Sequence, residues 1–194
     1  MPSRNTAFNL RKAAVEDATA LAQLVNIAGE GLPLVLWTSM AKADEDPWDL
    51  GASRARRTEG SFSWTNARIA DIDGTVAGAI ITYLTAPQPE PINDDTPEMF
   101  RPLIALENDV PETNYINVLA VFPQFRRMGI ASALLESATA NPGKNGASII
   151  VADQNTGARR LYARHGFTEV ARELIVKGDW RTKNREWILL KKAG

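Results

Sequence analysis

The sequence predicts an α/β protein of the α+β kind, a mixed sheet with helices packed on it. Three observations carry this. Strand-like and helix-like segments follow one another in the order β-α-α-β-β, loop, β-α-β-α-β-β. Asp73-Gly74 joins two strand-like runs, a strong hairpin signal, so part of the sheet is antiparallel. Tyr115 to Val121 is a continuous apolar-rich run, as expected of a strand buried on both faces, and a basic, glycine-containing turn and a helix follow it.

In chain order, Phe8 to Arg11 alternates as a short strand, and Ala18, Leu21, Ala22, Leu24 and Val25 recur at helical spacing behind Glu16 and Asp17. Gly29 to Pro33 breaks that helix. Leu34 to Met40 predicts a second one, stopped at Asp44-Glu45-Asp46-Pro47. Residues 49–59 hold little apolar content, so a helix there would be mostly exposed. Trp64 to Ile72 and Thr75 to Tyr83 are the two arms of the hairpin. Pro87, Pro89, Pro91, Pro97 and Pro102 then crowd one stretch, too densely for a helix or a central strand, which predicts an extended surface loop over about 86–112. After the strand at Tyr115, a helix opens around Arg126 to Ala131 and stops at Asn141-Pro142-Gly143. Ser148 to Ala152 is a further buried strand. Asn155 caps a helix that Gly166 terminates, and Thr168 to Val176 and Glu186 to Lys191 close the chain as strands. At 194 residues, with apolar segments on either side of the loop too few to close two cores, the whole span 1–194 reads as a single domain.

Composition narrows the chemistry. With no cysteine and one histidine, thiolate zinc sites, iron–sulfur clusters, cysteine nucleophiles and multi-histidine metal sites are ruled out, and no metal is expected. The net charge of −1 gives no footprint for nucleic acid. Its distribution is uneven: Ala86 to Asn114 holds seven acids and one base, whereas Arg126 to Arg164 holds six bases and two acids. This is expected if one site receives a cation and another an anion, and equally of a plain solvated face. The longest apolar stretch, Val76 to Leu84, falls short of the roughly 18 residues a membrane span needs, so no membrane partner is expected and the chain reads as cytoplasmic.

The basic turn is the informative segment. The first amides of a helix have no internal partners, Gly129 leaves room for a close backbone approach, Ala131 is small, and Arg126 and Arg127 add charge, which together make a cradle for phosphate. Neither G-x-x-x-x-G-K-S/T nor G-x-G-x-x-G occurs, which argues against nucleotide hydrolases and dinucleotide oxidoreductases.

Val121-Phe122-Pro123-Gln124-Phe125-Arg126-Arg127-Met128-Gly129-Ile130-Ala131 resembles motif A of the GNAT N-acetyltransferase superfamily, R/Q-x-x-G-x-G/A. Asn155 to Phe167 is similar to its motif B, N-x-x-A-x-x-L-Y-x-x-x-G-F, and Leu10 to Ala13 with Asp17-Ala18 resembles its N-terminus. The likeness spans most of the chain apart from the proline-rich insertion. It implies a mostly antiparallel sheet of about seven strands, helices on both faces, and a splay between strands four and five. It also implies acetyl-coenzyme A as co-substrate, its pyrophosphate on the amides of Arg127, Met128, Gly129, Ile130, Ala131 and Ser132 beside Arg126. The pantetheine arm would lie along Leu119, Ala120 and Val121, with the thioester carbonyl at the Leu119 amide and Asn155 holding the arm. Asn155 serves equally well as a plain helix cap.

Tyr162 matches the family's usual general acid. A phenol of reference pKa about 10 is suited only to a late proton transfer to a thiolate whose acid lies near about 8.5, and packing alone also explains the residue. An amine acceptor arrives protonated and needs a base. Among Glu107, Asp109, Glu112, Tyr115 and Asn117 we favour Glu107, because Ile104-Ala105-Leu106 could bring it indoors and raise its pKa. His165 falls at a helix end, where an imidazolium simply suits the dipole, and no G-x-S-x-G elbow accompanies it. Trp37, Trp48 and Trp64 line an acceptor pocket or serve packing. The resemblance thus implies an enzyme, an N-acetyltransferase working on an unidentified small-molecule or peptide amine by direct attack in a ternary complex. The alternative from another class is a silent acyl-coenzyme A binding or sensing module, and transfer of a longer acyl group is a third. A homodimer is the default assembly.

Overall fold

The computed structural model describes residues 7–194, in two compact bodies: the chain up to Thr82 with Val118–Ser137, and Tyr83–Asn117 with Ala138–Gly194. The hydrogen-bonded strand order is β1-β2-β3-β4-β5-β7-β6, a mixed, mostly antiparallel seven-stranded sheet with flanking helices.

The first body opens with β1 (Asn9–Lys12), a single 3-10 turn at Val15–Asp17 and α1 (Ala18–Ala28). The helical spacing predicted for α1 is what buries Ala18, Leu21, Ala22 and Leu24; Ala18, Leu21 and Leu24 pack with Ile69, Ile81, Val118 and Ala120 of the sheet, and Ala22 packs with Trp37 and Ala52. Arg11 ties the entry together. Its guanidinium forks onto Asp17 at 2.7 and 2.9 Å, and its Nε donates to Asp71 at 3.0 Å. Asp17 also accepts the Ala14 N–H at 2.8 Å. α2 (Leu32–Met40) starts from left-handed Gly31. α2 ends at Met40, ahead of the expected stop at Asp44-Glu45-Asp46-Pro47, and the same proline then opens α3 (Pro47–Ala55): it sits in the first turn, where no N–H is needed, and Asp46 accepts the Trp48 N–H at 2.9 Å. The helix is also less exposed than its composition suggests, because the small residues Gly51, Ala52 and Ala55 are the buried ones. A Cβ on Gly51 would come within 2.6 Å of the Trp37 ring.

The hairpin forms as expected. β2 (Ala67–Ile72) and β3 (Thr75–Leu84) pair antiparallel up to Ile72↔Thr75, with Asp73 and Gly74 both at positive φ, as the tight turn requires. The first arm is shorter than expected: Trp64–Asn66 is a 3-10 turn capped by Ser63, whose hydroxyl accepts the Thr65 N–H at 3.1 Å. Gly78 is needed for a different reason, since a Cβ there would lie 2.7 Å from the Ala120 carbonyl.

In the second body the largest departure from expectation is α4 (Arg101–Asn108), preceded by a 3-10 turn at Glu98–Phe100, inside the stretch read as extended loop. Proline density misled because position matters more than number. Pro97 precedes the turn, Pro102 occupies the first helical turn, and the interior from Leu103 to Asn108 contains none. β4 (Asn114–Val121) begins here and pairs in parallel with β5 (Ala147–Ala152) at Asn114↔Ala147, Tyr115↔Ser148 and Ile116↔Ile149. The next residues, Asn117 and Ile150, are not partners, so the two strands part after three pairs. α6 (Thr156–Arg164) ends at left-handed Gly166, and β6 (Thr168–Leu174) and β7 (Glu186–Lys192) complete the body, β7 pairing antiparallel with both β5 and β6. α4 packs against β6 and β7. A buried hydroxyl latch fixes its far end: Thr85 and Thr113 donate to the Val110 carbonyl at 2.6 and 2.9 Å, and Thr113 meets Ser148 at 2.6 Å. Among the described residues no single helix is long and apolar enough to cross a membrane.

Candidate functional site

The predicted phosphate cradle lies in the first body. β4 delivers Leu119, half-buried between Val118 and Ala120, and ends at buried Val121. A 3-10 turn at Pro123–Phe125 follows, and α5 (Ile130–Thr139) begins at Ile130, within the stretch Arg126 to Ala131 where the sequence opens it. The residues between are a turn with its own backbone demands. Arg127 and Gly129 both lie at positive φ, 64° and 80°. For Gly129 the conformation costs little, whereas Arg127 holds it at a cost of order 1–3 kcal/mol, strain of the kind that gathers at ligand clamps.

The consequence is a row of outward-facing amides. Ala133 donates to the Gly129 carbonyl at 3.0 Å, so the N–H groups of Ile130, Ala131 and Ser132 precede the helix's own ladder. Arg126, Arg127 and Gly129 are exposed, Met128, Ala131 and Ser132 half-buried, and Ile130 anchors the helix in the core. Arg126 is steadied by donating its Nε to the Val121 carbonyl at 3.4 Å. A Cβ on Gly129 would meet nothing within 4 Å, so the space over the turn is open. Backbone N–H donors, a helix N-terminus and two guanidinium groups form the donor set that a pyrophosphate needs.

The second body gathers the titratable groups. Tyr162 of α6 is buried, its ring 6.0 Å from Phe167 in an edge contact. Burial pushes its phenol above the ordinary value and so further from a thiol's, which suits Tyr162 as an acid to a hydrogen bond first and a transfer last. Asn155 caps α6, its Oδ1 accepting the Ala158 N–H at 3.2 Å. The cap uses the oxygen alone.

Glu107, on α4, is half-buried and accepts a hydrogen bond from the Tyr83 hydroxyl at 2.7 Å. Burial raises its pKa, the Tyr83 hydrogen bond opposes the rise, and the nearby charge of Glu90 adds to it. Tyr115, fully enclosed, stands beside this pair with its ring 5.2 Å from that of Tyr83; burial first, then Glu107 and Tyr162, hold its phenol well above the usual range. Thus Tyr83, Glu107, Tyr115 and Tyr162 form one neighbourhood. The remaining base candidates are elsewhere. Glu112 is ion-paired with Lys144 at 3.0 Å, and Asp109 is an exposed C-cap of α4. His165 is the C-cap of α6, as its place in the sequence suggested. Trp37 packs edge-on to Trp48 at 5.9 Å and stacks on Phe62 at 6.2 Å, and Trp64 packs against the first body's core. Tyr83 is the member that sequence reasoning missed: its partner is 24 residues away, and no local pattern marks it.

A mixed sheet whose two parallel strands part, one of them running into an amide-lined basic turn, defines an acyltransferase fold. The profile of the Acetyltransferase (GNAT) family matches residues 34–167, and the chain belongs to that family. Solved structures agree on the fold. An acetyltransferase superposes with a TM-score of 0.66 at 21% identity, covering 95% of this chain and 98% of that one. An N-acetyltransferase from Staphylococcus aureus Mu50 gives 0.64 at 21%, covering 94% and 98%. The ribosomal-protein-S18-alanine N-acetyltransferase from Escherichia coli gives 0.56 at 16%, covering 96% and 94%. No curated protein sequence matches the chain significantly.

Proposed function

We propose that this chain is an N-acetyltransferase that moves an acetyl group from acetyl-coenzyme A to a cationic amine, with both substrates bound together. The observation that carries the reading is the turn from Arg126 to Ser132, whose left-handed Arg127 and Gly129 leave the first amides of α5 outside the helix ladder. These amides, with Arg126 and Arg127, would hold the pyrophosphate, while Leu119, Ala120 and Val121 offer strand backbone to the pantetheine arm; for Asn155 and Tyr162 of the second body the reading rests on their match to the family's motif B. The co-substrate supplies an acetyl group already activated as a thioester.

The chain's own residues handle protons. Glu107 is the base that takes the acceptor's proton, since burial keeps its carboxylate more basic than a solvated one. Tyr162 donates toward the sulfur. With no cysteine, the usual thiol route to an acyl-enzyme is closed, which favours direct attack. The acidic stretch from Ala86 to Asn114, which contains Glu107 and Glu90, favours an acceptor that arrives as an ammonium ion, a small molecule or a peptide amine of the cytoplasm.

Thermal melting tests the cradle. Acetyl-coenzyme A at about 100 times its Kd adds about 2.7 kcal/mol to the native state, a rise in midpoint of roughly 5–10 °C for a chain of this size. Gly129→Val, which forces a branched residue into a left-handed position, is expected to lose most of that rise. An unchanged melting temperature in the wild type at saturating ligand would remove the cradle. Tyr162→Phe is expected to lower kcat while leaving acetyl-coenzyme A affinity within a few-fold; an unchanged kcat ends the acid role.

A further inference from the structure

We propose that Tyr83 is the positioning residue of the base: its hydroxyl, donating to Oε2 of Glu107 at 2.7 Å, orients the carboxylate so that Oε1 faces the acceptor's proton. The inference rests on the reading of Glu107 as the base, and adds the device that makes it competent.

The bond is built into the frame. Two residues beyond Tyr83, the Thr85 N–H donates to the Thr113 carbonyl at 3.0 Å, and the Thr85 hydroxyl donates to the Val110 carbonyl just past the end of α4. The end of β3 and the end of α4 are therefore fastened to each other, which sets the span that the Tyr83 side chain crosses. On the other side Asn108 clasps the proline-rich stretch, accepting the Glu90 N–H at 2.7 Å and donating to the Glu90 carbonyl at 2.9 Å. The Tyr83 ring leans on buried Tyr115. A carboxyl torsion is otherwise broad, so one fixed oxygen needs a fixed donor.

Electrostatics give the hydroxyl a second task. The groups facing Glu107 are Tyr83 from β3, Tyr115 from β4 and Glu90 from the proline-rich stretch, with no charged group of β6 or β7 acting on it among the described residues. The Tyr83 O–H favours the charged form, against burial and the charge of Glu90. Tyr83 itself keeps its proton, because burial, Tyr115 and the Glu107 charge all disfavour the phenolate. In the step that follows, an N–H bond of the ammonium breaks, an O–H bond forms at Oε1, and a neutral amine and a neutral carboxylic acid remain.

The test needs no acceptor. The Glu107 carboxyl carbon is titrated by 13C NMR in the whole protein, assigned by its disappearance in Glu107→Gln. In Tyr83→Phe the midpoint is expected to rise by about one pH unit or more, since the lost donor served only the ionised form. With 3-fluorotyrosine at position 83, a stronger donor that keeps the packing, the midpoint is expected to fall. Midpoints that stay put in both overturn the proposal. The base reading is judged separately, by amine-dependent thiol release in Glu107→Gln. Full activity there would refute the base while leaving the Tyr83 bond as a structural contact.

Discussion

Glu107→Gln is expected to lower kcat/KM for acetyl transfer by about 10²-fold or more at neutral pH, the usual contribution of a positioned base. The amide is close in shape to the carboxylate and can still accept from Tyr83, so thermal melting should show a folded protein that binds acetyl-coenzyme A normally. The wild-type pH profile carries the same information. A base acts only when ionised, so activity falls as pH drops through its pKa, and burial of Glu107 shifts that limb upward from where a solvated glutamate would put it. In Glu107→Gln the limb should vanish. A variant with wild-type rate and an unchanged limb would move the base elsewhere.

Asp17→Ala is expected to cost about 2–3 kcal/mol of stability, a drop in melting temperature of roughly 5–10 °C. The aspartate is nearly enclosed, with 9% of its side chain exposed, and it receives both arms of the Arg11 fork and the Ala14 N–H. Its removal leaves Arg11 its bond to the Asp71 carboxylate at 3.0 Å and strips the guanidinium fork of its partner. The Arg11 hydrogen bonds hold the Asp17 pKa below its ordinary value against the opposing effect of burial. A carboxylate depressed in the folded state stabilises fully above its unfolded pKa of about 3.9 and loses that contribution as pH falls through the lower folded value. The gap between wild type and Asp17→Ala should accordingly be constant near neutrality and close below about pH 4. Chemical denaturation at several pH values measures it, and a gap that persists in acid would show that the loss comes from packing.

How far the sequence reached depended on the range of the interaction. Features set by neighbours in the chain were legible: the Asp73-Gly74 turn, the α6 cap at Asn155 with its terminator at Gly166, and the apolar stripe of α1. α4 was also writable from local rules, since a proline in the first turn followed by six proline-free residues is a helix start, but the crowd of prolines before it masked the signal. Glu107 was reached through its apolar neighbours, of which Leu106 is fully buried. Tyr83 was out of reach because its meaning comes from a carboxylate on another element, and the left-handed conformation of Arg127 has no residue-type signature at all. The parting of β4 and β5 came from the family resemblance, since nothing in either strand's composition marks where pairing ends.

Release of free thiol from acetyl-coenzyme A, followed while a panel of primary amines is supplied and the products are weighed by mass spectrometry, tests the central claim most directly. The account predicts thiol released one for one with an acetylated amine, a preference for acceptors that carry a positive charge, and a rate strongly reduced in Glu107→Gln. Acetyl-coenzyme A that raises the melting temperature yet yields no amine-dependent thiol across the panel would contradict catalysis and leave a binding module with an idle carboxylate.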